Sequence, residues 1–205
     1  MSITCTLYRA TEDEIDRLIE DPATVGSFLD PDSAFALPVK TVRLKGLAGV
    51  ILRLFPITIT EVDSEAAERA REPVMDNPDR SIDIDKGWHG LHFLFTGTVD
   101  EGEEPACYLV RGGEDLDDEG QARALRPKQV RRFAEYLSAL TPAELTRRYD
   151  PERMTKLEIY PNAVWMRPSS PDDSPLQWLL GCLSDVQRFT HRAAAANDGV
   201  IVNIA

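Results

Sequence analysis

The residues from Ser174 onward constrain the fold most. Ser174-Pro175-Leu176-Gln177 is a helix start: the serine hydroxyl can accept from a first-turn backbone N–H, and proline sits where an N–H would lack a partner anyway. Leu176, Leu179, Leu180, Leu183, Val186, Phe189 and Ala193 then recur at intervals of three and four, which is the stripe of a long helix with one face to bury. Asn197-Asp198-Gly199 stops that helix, and the β-branched run at 200–204 reads as a strand. A similar run at 3–8, Ile-Thr-Cys-Thr-Leu-Tyr, reads as another. Strands at both ends of a chain rich in amphipathic helices call for a sheet with helices packed on it.

The interior of the chain is punctuated by helix starts of the same kind. Thr11-Glu12-Asp13-Glu14 is a capping box opening a helix to about residue 20, and Asp21-Pro22 begins a second, short one. Residues 31–38 have the proline, aspartate and serine content of a loop. Leu44, Leu47, Ala48, Ile51, Leu52 and Phe55 recur at helical spacing among Lys40, Arg43, Lys45 and Arg53, a basic amphipathic helix. Residues 61–80 read as an exposed connection with a helical turn or two, and 107–111 as a strand ended by Gly112-Gly113. Pro127 opens a helix with Val130, Phe133, Ala134 and Leu137 on one face. Thr141-Pro142-Ala143-Glu144 and Asp150-Pro151 start two more, 157–160 reads as a short strand and 168–173 as a loop. No repeat and no long linker divides the sequence. The expectation is one α+β domain over residues 1–205, with a small, mostly antiparallel sheet and several amphipathic helices.

A hydrophobic content of 42% is enough for a core, and the formal net charge of −12 excludes a general nucleic-acid binder, which needs clustered Lys and Arg. The same charge suits a basic protein partner. Cys5, Cys107 and Cys182 are isolated and contain no C-x-x-C pair, so a reducing cytoplasm fits better than a disulfide framework. The first ten residues lack the basic start and apolar core of a signal peptide. The least polar stretch, 46–60, is too short to span a bilayer and is broken by Arg53 and Pro56, so no membrane association is expected.

Two of the three histidines lie in Asp83-Ile84-Asp85-Lys86-Gly87-Trp88-His89-Gly90-Leu91-His92-Phe93-Leu94-Phe95-Thr96-Gly97. The spacing predicts a helix over 85–96, with Asp85 as N-cap and Gly97 as stop. Ile84, Trp88, Leu91 and Phe95 form its core stripe; Asp85, His89 and His92 form a polar stripe beside it. Gly87 and Gly90 cost the helix about 1 kcal/mol each relative to alanine, which close packing against a neighbouring element would offset.

The polar stripe admits two functional classes. In a binding or interaction module, Asp83, Trp88, His89 and His92 are the candidate ligand contacts. In a hydrolase or transferase, His89 or His92 acts as acid–base group with Asp85 as orienting carboxylate, although no nucleophile motif accompanies them. In the purely structural alternative, Asp85 caps the helix and His92 hydrogen-bonds beneath Trp88. His89-x-x-His92 lacks further strong ligands, so no metal is assigned, and no cofactor motif occurs. Asp115-x-Asp117-x-Glu119-Gly120 starts like a calcium loop, but Arg126 stands where a bidentate glutamate is needed.

The segment 83–97 resembles the YfbM-like family of uncharacterised bacterial proteins in its D-K-x-W-x-x-L-H-F-L-x-T-G core. The resemblance continues through Gly112-Gly113-Glu114, residues 122–130, Tyr149-Asp150-Pro151-Glu152-Arg153-Met154 and Glu158-Ile159-Tyr160-Pro161. It departs between residues 31 and 80 and at Thr190-His191. It implies a small bacterial α+β protein and brings no substrate, cofactor or catalytic residue with it.

Overall fold

The structure, a computed structural model, describes residues 2–30, 39–41, 60–62, 80–117, 120–168, 170 and 173–205. The described strands are β1 (Cys5–Ala10), β2 (Val39–Thr41), β3 (Thr60–Val62), β4 (Ser81–Asp83), β5 (Glu114–Asp115), β6 (Ala122–Leu125) and β7 (Gly199–Ile204). The described helices are α1 (Glu12–Glu20), α2 (Val25–Leu29), α3 (Gly87–Thr96), α4 (Pro127–Ala139), α5 (Pro142–Arg148), α6 (Pro151–Lys156) and α7 (Pro175–Ala196). They fall into two compact units, Met1–Val25 with Asn77–Ala205, and Gly26–Asp76. In the second unit β2 and β3 pair antiparallel, Lys40 opposite Glu61. The amphipathic segment expected at 44–55 and the loop at 31–38 lie outside the described residues, as does most of the connection at 61–80.

The first unit holds a five-stranded antiparallel sheet of order β4-β1-β7-β6-β5, which is the α+β arrangement expected. The terminal strand β7 is central, with Leu7 opposite Val202 on one side and Ala124 opposite Ile201 on the other. Val200, Ile201 and Val202 are all buried, so both faces of the middle of the sheet are covered. Helix α7 begins with the Ser174 hydroxyl accepting from Gln177 N–H and ends at Asn197 in the left-handed conformation (φ 59°). It buries Leu179, Leu183, Val186, Phe189 and Ala193 and packs on α3 and α4. Each large side chain among these contributes about 1.5–3 kcal/mol by leaving water.

Helix α4 buries Val130, Phe133, Ala134 and Leu137, the face its spacing specifies. Thr11 and Thr141 each make a reciprocal capping box, and the Asp150 carboxylate accepts from Arg153 N–H at 2.9 Å. Asp21-Pro22 opens a 3₁₀ turn, Pro22–Thr24, that runs into α2.

Two expected strands are turns instead. Across 107–111 the N–H groups of Val110 and Arg111 both reach the Cys107 carbonyl, at 2.9 and 2.8 Å. The buried Arg123 guanidinium holds this turn through the Leu109 and Gly112 carbonyls, both at 3.0 Å. Arg123 itself lies in β6, a strand of the sheet, whereas 107–111 lies outside it. At 157–160, Glu158 is left-handed (φ 55°) and closes α6. The Ile159 carbonyl then accepts from Trp165 Nε1 at 2.6 Å, and Tyr160 N–H donates to His89 Nδ1 at 2.9 Å. Tertiary partners thus consume the backbone groups that a strand would need.

Candidate functional site

Helix α3 carries the sequence-predicted residues, and it starts later than the spacing implies. An N-cap needs extended backbone, whereas Asp85 is left-handed at φ 48°. Asp85 is therefore not the N-cap: Lys86 holds that position without a side-chain hydrogen bond, and the helix begins at Gly87. The cause is the strand before it. The Asp85 carbonyl accepts from Cys5 N–H at 2.9 Å, Ile84 N–H donates to the Cys5 carbonyl at 3.0 Å, and the Asp83 carboxylate accepts from Asp85 N–H at 2.7 Å. Docking on β1 fixes the turn, and both aspartates end outside the helix.

The glycines of α3 meet the close packing expected of them. A Cβ on Gly87 would lie 2.8 Å from Cys182 Sγ, and one on Gly90 would lie 2.7 Å from the Trp165 ring and 2.9 Å from Leu179 Cδ2. At the far end Gly97 is left-handed (φ 75°), and its N–H returns to the Phe93 carbonyl at 2.7 Å, the stop read from the sequence.

His89 has both ring nitrogens engaged. Nδ1 accepts from Tyr160 N–H at 2.9 Å, so it carries no proton, and Nε2–H donates to the Val99 carbonyl at 2.8 Å. Burial holds its pKa below the usual imidazole value, against the opposing pull of the Val99 carbonyl and Asp100. The ring stacks on Trp88 with centroids 4.8 Å apart, and the Tyr160 ring also stacks on Trp88, at 6.2 Å.

His92 is completely buried, and neither ring nitrogen has a hydrogen-bond partner among the described residues; the same holds for Trp88 Nε1. The expected hydrogen bond beneath Trp88 is thus absent among the described residues. Burial, reinforced by His89, pushes the His92 pKa down to about 4, while the Glu101 carbonyl and Asp100 pull the other way without completing a hydrogen bond. No hydrogen bond joins Asp85 to either imidazole among the described residues. Asp83, Asp85, Trp88, His89 and His92 share one helix and the turn before it, and the structure does not assemble them into an open constellation. The Asp117 carboxylate accepts from the N–H groups of Gln121 and Ala122, at 2.9 and 2.8 Å, a turn-closing role. No group of three or more His, Cys, Asp and Glu suited to a metal occurs among the described residues.

An open concavity does adjoin the same helix, at its C-terminal end. The cleft has a volume of about 600 Å³ and its lining includes Phe93, Tyr136, Arg147, Arg148, Asp150 and Arg153. Helices α4, α5 and α6 bring these groups to the end of α3, where helix carbonyls lack partners within the helix. Arg148 donates to the Leu94 carbonyl at 3.1 Å, Tyr136 OH to that of Phe95 at 3.3 Å, and Arg153 to that of Gly97 at 3.0 Å. The Arg153 guanidinium also lies over the Phe93 ring, 5.4 Å from its centroid. Arg147 makes no hydrogen bond or ion pair to the described residues. The signal that could have found these groups is three arginines within Arg147-Arg148-Tyr149-Asp150-Pro151-Glu152-Arg153 of an otherwise acidic chain.

Residues 1–203 match a family model described as a domain of unknown function, DUF1877. The chain belongs to the DUF1877 family. A relative in that setting is Protein YfbM of Escherichia coli (strain K12), 31% identical over 120 residues, which are 51% of this chain and 72% of YfbM. The crystal structure of YfbM from Escherichia coli, described as a protein of unknown function, matches with a TM-score of 0.57 at 17% identity. That match covers 98% of this chain and 99% of the other, and it shows a shared α+β fold. The family resemblance seen in segment 83–97 is thereby established, and DUF1877 membership brings no activity with it. No helix among the described residues is long and apolar enough to cross a membrane.

Proposed function

We propose that this chain is a bacterial cytoplasmic binding module whose ligand occupies the cleft at the C-terminal end of α3. One contrast along the helix carries the reading. His89 spends both ring nitrogens on backbone groups and His92 is sealed in the core, whereas the cleft presents three guanidinium groups without a carboxylate partner within 4.0 Å among the described residues, two of them spending one nitrogen on a helix carbonyl. Acid–base chemistry needs a nitrogen that a substrate can reach. Binding needs only a concave surface with a few convergent polar groups, and the cleft volume lies within the usual range of about 300–1,000 Å³.

The test is to add the small-molecule fraction of a bacterial extract to the isotope-labelled full chain and follow backbone amide signals. Saturable shifts confined to 93–97 and 147–153 are the expected result. Shifts confined to other surfaces, or none, overturn the reading. The net charge of −12 supports, as a second reading, a basic protein partner on another face. That reading requires a complex that weakens as salt is added.

A further inference from the structure

We infer that the ligand of this cleft is a small organic anion, a carboxylate or phosphate attached to an apolar body. The inference rests on the binding reading above and adds the chemistry of the ligand.

The first observation is a surplus of cations. Arg9, Arg80, Arg126, Arg132, Arg167 and Arg188 each pair with an aspartate or glutamate within 4.0 Å. Arg147, Arg148 and Arg153 do not, among the described residues, although carboxylates outnumber cationic side chains 35 to 23. The cleft therefore carries three guanidinium groups against one carboxylate, and Asp150 spends an oxygen on capping α6.

The second observation is that closing the end of α3 uses only part of what these arginines offer. Gly97 already closes α3 with its own N–H. Arg148 commits one nitrogen to a carbonyl and also interacts with the Tyr136 hydroxyl, and Arg153 commits one nitrogen to a carbonyl, which leaves several of their five N–H donors unspent; the Arg147 side chain commits none among the described residues. The carbonyl contacts instead hold two of the guanidinium forks in place, so that less side-chain freedom is lost when a ligand arrives. Planar forks of this kind match carboxylate and phosphate oxygens two at a time.

The third observation is the apolar side of the cleft. Phe93, Phe95 and Ala106 line it beside the cations, and Phe93 already supports Arg153 through its ring face. An oxyanion among the arginines would leave its apolar remainder against these side chains. A bare inorganic ion would leave that half of the cleft unused.

The experiment titrates the full-length chain with four probes: benzoate, phenyl phosphate, inorganic phosphate and neutral benzamide. Backbone amides and arginine Nε–H signals are followed by NMR, with affinities from calorimetry. Benzoate or phenyl phosphate is expected to shift the cleft signals saturably and to bind at least about tenfold more tightly than benzamide, the worth of roughly one charge-assisted contact. Which of the two binds more tightly identifies carboxylate or phosphate as the source of the oxyanion. Inorganic phosphate is expected to bind more weakly than phenyl phosphate; equal affinity overturns the apolar half of the inference.

Arg147→Gln removes a side chain with no hydrogen bond to the described residues, so folding is expected to be unchanged and affinity for the anion to fall about fivefold or more. Arg147→Lys is expected to recover part of that loss. Anion binding indifferent to Arg147→Gln, or the absence of anion binding at millimolar concentration, overturns the inference. Benzamide binding the cleft as well as the anions do overturns the anionic chemistry and leaves the binding reading standing. The binding reading falls separately, if the extract leaves 93–97 and 147–153 unmoved.

Discussion

An imidazole buried like that of His92 limits its cost by staying neutral, and stability therefore depends on pH. Above pH 6.5 the ring is neutral in the folded and unfolded chain alike, and the group adds no pH dependence. As pH falls from 6.5 toward about 4, the unfolded chain takes up a proton that the folded chain refuses, so stability declines. Below that range both forms are protonated and the loss levels off, at about 3 kcal/mol. His89, also depressed by burial, adds to the decline in the same direction. Urea denaturation across this range should show the decline, and His92→Leu should flatten it. At neutral pH the same substitution is expected to change stability by no more than about 1 kcal/mol, because it removes two unpaired polar atoms from the core. A pH profile unchanged by His92→Leu would locate the titration elsewhere.

Among the elements, α3 trades helix propensity for proximity. Alanine at Gly90 would gain about 1 kcal/mol in propensity. Its methyl, however, would meet the Trp165 ring, which is held by its hydrogen bond to Ile159 and by stacking on Trp178 at 6.2 Å, and cannot yield as a free side chain would. Gly90→Ala is therefore expected to destabilise the chain by about 1–3 kcal/mol, read as a lowered denaturation midpoint with unchanged slope. An increase in stability would mean that this contact is loose. Other elements are decided by their own sequence. Thr11, Thr141, Asp150 and Ser174 act on an N–H three residues away, so their helix starts are legible without knowledge of the rest of the chain. Asp85 has the same chemistry and fails as a cap, because hydrogen bonds to Cys5, some eighty positions earlier, set its backbone.

At the level of the whole molecule, the sheet is built on its C-terminal strand: β7 pairs with β1 along all six of its residues and with β6 along four. Removing residues 199–205 deletes the central strand and uncovers apolar surface on both sides. The truncated chain is expected to lose cooperative thermal unfolding and near-ultraviolet dichroism together. Retention of a sharp transition would show that the helices form a core without it. The stripe of α7, the face of α4, the capped helix starts, the stop at Gly97 and the two terminal strands follow from the sequence alone, because periodicity and caps act over a turn or two of chain. The strands β4 and β6, the turns at 107–111 and 157–160, the sealing of His92 and the gathering of Arg147, Arg148 and Arg153 about the end of α3 were settled only by the tertiary structure. Each of these depends on a hydrogen-bond partner or a covering side chain supplied from a distant part of the chain, and no local pattern specifies which partner arrives.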